Sequence, residues 1–291
     1  MTLVAAAVTR LAAMWGEAPP VTAVVFEHHE RAVFEAGGPS GPVVVKVDGS
    51  SLCHRRERAV LEAARRHHLP VPAVLEADEA SPSLLVLERV DGRPLRFVTD
   101  PAPWTAAGRF LRHLHEVAWP PAAGPATWSG RAWGEHFRAW ADHEIGTLAA
   151  RGALPGPVGR AMHAVLRRAF AHLDVTAPRL LHGDCQPDHF LLAAAPARLA
   201  GVVDFGDAVL GDPLWDLVVL TLDSPALEGA VRRGYGADDE TFDRPDGLPD
   251  AYRLIRHLGS ASWMHEHGLP DVPDLAAAQR LLAGLGPTAP G

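Results

Sequence analysis

The sequence predicts an α+β chain of two lobes, a small β-rich N-terminal lobe and a mostly helical C-terminal lobe. Three observations carry this reading. Runs of β-branched and alternating apolar residues are concentrated in the first 87 residues. From residue 104 onward, apolar residues recur mainly at helical spacing. Two short apolar runs, 179–181 and 200–203, are each followed by a loop bearing an aspartate, Asp184 and Asp204.

Taken in order, residues 21–26 and 31–36 read as two strands, with Gly37-Gly38-Pro39-Ser40-Gly41 as a turn signal after them. A third strand, 42–47, carries Lys46 among valines. Residues 56–67 read as a helix through Ala59, Val60, Ala63 and Ala64, stopped by Pro70 and Pro72. Residues 84–87 form another strand, and 90–94 a turn or linker. These elements place an N-terminal lobe at 1–87, a hinge at 88–92 and a C-terminal lobe at 93–291. The second lobe begins with a helix at 104–117 striped by Ala107, Phe110, Leu111 and Leu114, then a Pro/Ala/Gly-rich loop at 120–127. Helices at 133–149 and 157–173 follow, then strands at 179–181, 190–192 and 200–203, and helices again from Pro213. There is no internal repeat and no sustained heptad.

Composition narrows the function. Hydrophobic residues make up 47% of 291, enough for a sizeable core, and 21% are charged. No apolar run is long enough to span a bilayer, and residues 1–15 read as an amphipathic helix without a signal-peptide pattern, so a cytoplasmic protein is expected. Two cysteines, Cys53 and Cys185, give neither a disulfide framework nor metal-site spacing. A net charge of -8 speaks against nucleic acid as partner and is compatible with a cationic small molecule or with solubility alone. Lys46 is the only lysine in the chain and asparagine is absent altogether, so a retained lysine asks for a reason.

The chemistry concentrates between Leu180 and Asp216. Carboxylates beside apolar runs are costly to bury unless they are paired or bind a cation. Asp184 and Asp204, with His189, supply a divalent-metal and general-base set of the kind phosphoryl transfer needs. His182-Gly183-Asp184, His189, Val203-Asp204-Phe205-Gly206 and then Gly211-Asp212-Pro213 with Asp216 together resemble the signature of the aminoglycoside phosphotransferase family, small-molecule kinases that share the protein-kinase-like fold. The resemblance covers most of the chain. It implies a bilobal kinase fold and an ATP- and magnesium-dependent (Mg2+) enzyme that phosphorylates a hydroxyl. It further implies Asp184 as catalytic aspartate and Asp204 and His189 as metal ligands. Lys46 matches the lysine on the nucleotide phosphates and Glu57 its ion-pair partner, while Glu88 and Val90 lie in the segment that reads adenine through its backbone.

Two departures stand out. His189 occupies a position where most members carry asparagine, although macrolide kinases of the superfamily also show histidine. Imidazole suits softer metals than magnesium and ligates only when neutral, so manganese tolerance and a rate falling below neutral pH are expected. The turn between the first strands, Phe26-Glu27-His28-His29-Glu30, has no glycine, which leaves His28 or His29 to approach the phosphates.

The plainer readings are a solvent-facing edge lysine for Lys46, a solvated helix face for Glu57 and a packed or capping histidine for His189. His182 is expected to support the loop, Asp212 to cap the next helix behind Pro213, and Asp216 to hold the catalytic loop through backbone hydrogen bonds. Cys185 is not expected to act as a nucleophile. Glu135, Asp142, Glu144 and 238–240 are candidates to line a cation pocket, and Trp133, Phe137, Trp140 and Trp263 an apolar one, with solvated charge and core packing as the ordinary alternatives. The favoured substrate is a basic antibiotic, an aminoglycoside or tuberactinomycin-type peptide, met by a monomer or homodimer. Macrolide kinase, small-metabolite kinase and a pseudokinase that only binds ligand are the alternatives. A protein-serine kinase is disfavoured by the lack of an Ala-Pro-Glu activation segment.

Overall fold

Alternation along a strand decides which face of the sheet each side chain meets, and here it places the sole lysine. The structure is a computed structural model that describes residues 2–28, 30–124, 131–194, 198–242, 247–269 and 272–285. Helix α1 (Leu3–Trp15), capped by the Thr2 hydroxyl, buries Val4, Ala7 and Leu11 at helical spacing. Strands β1 (Val21–His28), β2 (Arg31–Gly38) and β3 (Gly41–Asp48) are followed by helix α2 (Ser51–Arg66), then β4 (Val74–Asp78) and β5 (Ser83–Glu88). The strands form one antiparallel sheet in the order β1-β2-β3-β5-β4. Val43, Val45 and Val47 of β3 join Leu84 and Val86 of β5 in the core beneath α1. Lys46 pairs with Leu85 on the opposite face, toward α2. Fully burying one such aliphatic side chain contributes about 1.5–3 kcal/mol.

Helix α2 begins earlier than expected because Asp48 accepts from the Ser50 amide at 2.8 Å and the Ser50 hydroxyl then caps the Leu52 amide at 3.3 Å. Its inward stripe places Glu57 in line with Val60, Leu61 and Ala64. The core around α2 is continuous with that of the helical part, reaching Trp104, Phe110 and Phe190.

Beyond the sheet, β6 (Arg93–Pro94) pairs with β8 (Phe190–Leu192), which pairs with β9 (Leu199–Val202), while β7 (Arg179–Leu181) pairs with β10 (Val209–Gly211). The helices are α3 (Pro101–Leu114), α4 (Arg131–Ala150), α5 (Gly156–Phe170), α6 (Pro213–Thr221), α7 (Glu228–Tyr235), α8 (Leu248–Glu266) and α9 (Val272–Gly284). Helices α3 and α7 meet glycine to backbone: a Cβ on Gly108 would lie 2.1 Å from the Val231 carbonyl oxygen and one on Gly234 1.9 Å from that of Thr105. Trp133 and Phe137, expected as core or pocket, are core, packed with Phe170, Trp215 and Tyr252. Part of the expected 120–127 loop, namely 125–127, lies outside the described residues. Among the described residues no helix is long and apolar enough to cross a membrane.

Candidate active site

The site forms where short strands end. After β7 the chain makes the loop 182–186 and a turn at Pro187–His189 before re-entering the sheet as β8; after β9 it makes the loop 203–208 before β10. Gly183 is required in the first loop. Its φ is +87° and a Cβ there would lie 2.0 Å from the Asp207 carbonyl oxygen, so the two loops touch backbone to backbone. Asp204 itself has a φ of 68°, a left-handed conformation that costs a non-glycine residue energy and that aspartate tolerates better than most.

Three elements converge on Lys46. Its Nζ donates to Glu57 Oε1 at 2.6 Å and Oε2 at 2.9 Å, and to Asp204 Oδ1 at 2.7 Å. Glu57 Oε1 also accepts from the Phe205 amide at 3.2 Å, which ties α2 to the second loop. Burial pushes the Lys46 amine down, but the charges of Glu57 and Asp204 outweigh it and hold the amine above the ordinary lysine range, fully protonated. Burial pushes the Glu57 carboxyl up against the pull of Lys46. Burial likewise pushes Asp204 up, yet Lys46 and His189 outweigh it and hold the carboxyl below the usual carboxylate range. Asp204 keeps 49% of its side chain exposed, so it stays open to a ligand.

His189 faces the same carboxylate. Its Nδ1 lies 2.8 Å from the Asp184 carbonyl oxygen and its Nε2 3.7 Å from Asp204 Oδ2. A carbonyl can only accept, so Nδ1 carries a hydrogen and Nε2 is the ring nitrogen that faces Asp204. Metal-ligating histidines are oriented in this way. Among the described residues no cluster of three potential ligand side chains occurs. Magnesium needs no such cage, since it is ordinarily held by one or two protein groups plus substrate phosphates. Asp204 and His189 fit that pattern.

Asp184 lies across from this pair. Gln186 Nε2 donates to both its oxygens, at 3.0 Å and 2.8 Å, and Arg256 Nη2 of α8 donates to Oδ1 at 2.7 Å. Oδ1 thus has two donors and Oδ2 one, leaving room on Oδ2 for a hydroxyl proton. Behind the loop, Asp216 Oδ2 accepts from the His182 amide at 2.7 Å and Oδ1 from the Gly183 amide at 3.0 Å. His182 is packed: Nε2 is 2.9 Å from the Val203 carbonyl oxygen, and the ring stacks on His189 and lies tilted against Phe205. Asp212 caps α6 at the Leu214 amide, 3.2 Å. Cys185 is buried, which raises its thiol well above the ordinary range, and it is no nucleophile.

Glu88 ends β5, which pairs with the strand that carries Lys46, and Val90 lies two residues beyond it. The Glu88 amide donates to the Ala73 carbonyl at 2.9 Å and its carboxylate accepts from the Ala73 amide at 3.0 Å. Val90 packs on Gly201 of β9. The remaining expectations fare differently. His28 packs its ring on His267 at the end of α8, 4.6 Å between centroids, and His29 lies outside the described residues. The acidic set does not gather around Asp184: Asp142 pairs with His163, Glu144 with Trp140 and Asp239 with Arg112. Two cavities, about 330 Å³ beside His115 and Tyr235 and about 520 Å³ beside Arg65 and Glu88, are lined by neither Asp184, Asp204 nor Lys46. Sequence reasoning missed Gln186, Arg256 and Asp207. Asp207, whose carboxyl is pushed up by burial and then by Asp184 and Asp204, was readable within the loop, as was Gln186; Arg256, 72 residues from Asp184, had no local signal.

Comparison with known proteins bears on the family and the fold. Residues 22–255 match the model of the phosphotransferase enzyme family (APH). No curated protein sequence matches the chain. A thermostable mutant of aminoglycoside phosphotransferase APH(4)-Ia in its apo form is similar in fold, with a TM-score of 0.71 and 18% identity over 97% of this chain and 100% of that one. The GDP complex of wild-type aminoglycoside 2'-phosphotransferase-IIIa gives 0.69 and 16% over 97% and 99%. The GDP and kanamycin complex of APH(2")-IIia gives 0.70 and 18% over 95% and 97%. At such identities the likeness is one of fold.

Proposed function

The chain belongs to the phosphotransferase enzyme family, and from that premise we propose that it transfers the γ-phosphoryl group of ATP to a hydroxyl of an antibiotic, thereby conferring resistance. The observation that carries the reading is the convergence of Lys46, Glu57 and Asp204 beside the Asp184–His189 loop. In this reading residues 1–87 bind nucleotide, 88–92 are the hinge and 93–291 bring catalysis and acceptor binding. Lys46, steadied by Glu57, neutralises the nucleotide phosphates. The hinge backbone at Glu88 and Val90 takes the base. Asp204 and His189 would hold magnesium, which when bound neutralises charge on the phosphates. Asp184 orients the acceptor hydroxyl through Oδ2 and takes its proton as the O–P bond forms and the bond to the ADP leaving oxygen breaks. Aminoglycosides and tuberactinomycin-type peptides head the acceptor list, with macrolides and small amino alcohols behind them. A cytoplasmic location, where ATP is supplied, accompanies the proposal.

The test is a turnover screen of purified protein with ATP and magnesium against those classes, read by mass. A phosphoryl-sized gain on one class identifies the acceptor. Tight drug binding without any gain, and equal protection of cells by wild type and Asp184→Asn, would favour a sequestering protein. His189 makes its own prediction. His189→Asn replaces an imidazole by an oxygen donor, so the ratio of magnesium- to manganese-supported rate should rise about tenfold, on the preference of magnesium for oxygen. An unchanged ratio would remove His189 from the metal site.

A further inference from the structure

Helix α8 turns one face along the cleft. Arg256 touches Asp184, and three turns later His267 touches His28 at the end of β1, with the half-exposed Trp263 stacked on His267 at 4.0 Å between centroids. An acceptor hydroxyl held on Asp184 Oδ2 therefore lies beside Arg256 on this face. The Arg256 side chain is 17% exposed and spends one N–H on Asp184 Oδ1. Guanidinium has five donors in a fixed fork and keeps its charge at any working pH. Asp184 Oδ2, the oxygen left for the hydroxyl, belongs to the same carboxylate, so whatever flanks the reacting hydroxyl comes close to a fixed positive charge.

We infer that Arg256 is a selectivity residue: it admits an acceptor hydroxyl flanked by neutral or anionic groups and rejects one with an ammonium on the neighbouring carbon. This rests on the phosphotransfer reading above and deepens it. On a basic antibiotic, Arg256 directs the phosphoryl group to a hydroxyl remote from the ammonium groups. The repulsion of two unit charges about 5 Å apart in a partly buried site corresponds to a discrimination on the order of a hundredfold. Asp184 is the carboxylate that faces Arg256 and opposes it. Its Oδ1 is already engaged by Arg256 and by Gln186.

The test uses matched acceptors, each a hydroxylated amine and its N-acetylated form, on aminoglycoside, amino-sugar and peptide skeletons. Wild type, Arg256→Gln and Arg256→Lys are compared by kcat/KM, with product position read by mass fragmentation. Because the bulk of the acetyl group is common to all three proteins, the ratio of charged to neutral acceptor isolates the charge effect. The expected result is a ratio that rises about a hundredfold in Arg256→Gln and stays near wild type in Arg256→Lys, which also controls for folding. A ratio that moves less than about threefold, or phosphorylation by wild type of a hydroxyl beside an ammonium with no gain in Arg256→Gln, overturns the proposal. So does turnover of no pair by either protein while ATP hydrolysis to water, sensitive to Asp184→Asn, persists. Absence of that hydrolysis in wild type would instead strike the phosphotransfer reading, and the selectivity proposal would fall with it.

Discussion

Asp184→Asn should reduce phosphoryl transfer about a thousandfold or more while leaving ATP affinity within about threefold of wild type. The substitution is nearly isosteric. It keeps an acceptor for Gln186 and removes the charge that meets Arg256 at 2.7 Å. What it cannot do is take a proton. Positioned general bases contribute roughly 10²–10⁴-fold, and a dissociative phosphoryl-transfer transition state places much of that contribution in orienting the hydroxyl. ATP affinity is spared because Lys46, Glu57 and Asp204, which face the phosphates in the proposed function, make no hydrogen bond to the Asp184 side chain. Single-turnover rates with a saturating acceptor, alongside calorimetric ATP titration, separate the two quantities. A loss of only tenfold would mean that Asp184 neither orients nor deprotonates the acceptor, and the loop would need another candidate. Equal losses of rate and nucleotide affinity would mean that the substitution has disturbed the whole site.

Residues set by local pattern were readable from the chain, and residues set by tertiary approach were not. Lys46 announced itself as the sole lysine within a valine strand, and alternation alone turns it away from the core shared by Val45 and Val47. Glu57 hid in a run of charges, but its spacing to Val60, Leu61 and Ala64 puts it on the inward face of α2. Asp184 and Asp204 stood out because each follows a short apolar strand, and His189 through the resemblance of the motif around it. Strands β4, β6 and β10 were missed for different reasons. β6 is two residues long with a proline, β10 is three, and β4 is a half-exposed edge strand whose pairing with β5 supplies what its own pattern lacks. Arg256 could not be found at all. Its meaning comes from the packing of α8 against the catalytic loop, and nothing within a few residues of it distinguishes it from Arg253, which pairs outward with Glu228 and Asp250.

The same contrast makes Asp216→Ala the most informative stability measurement. Asp216 is fully buried in α6 and makes no proposed contact with nucleotide or acceptor. Its carboxylate accepts from the His182 amide at 2.7 Å, the Gly183 amide at 3.0 Å and His115 Nε2 at 3.1 Å, and His115 Nδ1 continues to the Tyr235 hydroxyl at 2.9 Å. A buried donor left without acceptor costs about 1–3 kcal/mol, so two amides and an imidazole together predict a loss of about 3–5 kcal/mol and a fall in Tm on the order of 10 °C. Asparagine at this position can satisfy one side of the arrangement only, because its amide would aim N–H at N–H, and should recover less than half of the loss. Asp212, four residues earlier and equally buried, caps one amide and accepts from the Tyr252 hydroxyl. Asp212→Ala removes a cap and leaves one buried hydroxyl without its acceptor, and should cost about 2–3 kcal/mol. If the two variants lose equal stability, the catalytic loop is held by its glycine contact with Asp207 and by the stacking of His182, and Asp216 is merely a second cap. If Asp216→Ala loses the larger amount and its kcat falls with KM for ATP unchanged, the buried carboxylate sets the geometry in which Asp184 meets its acceptor.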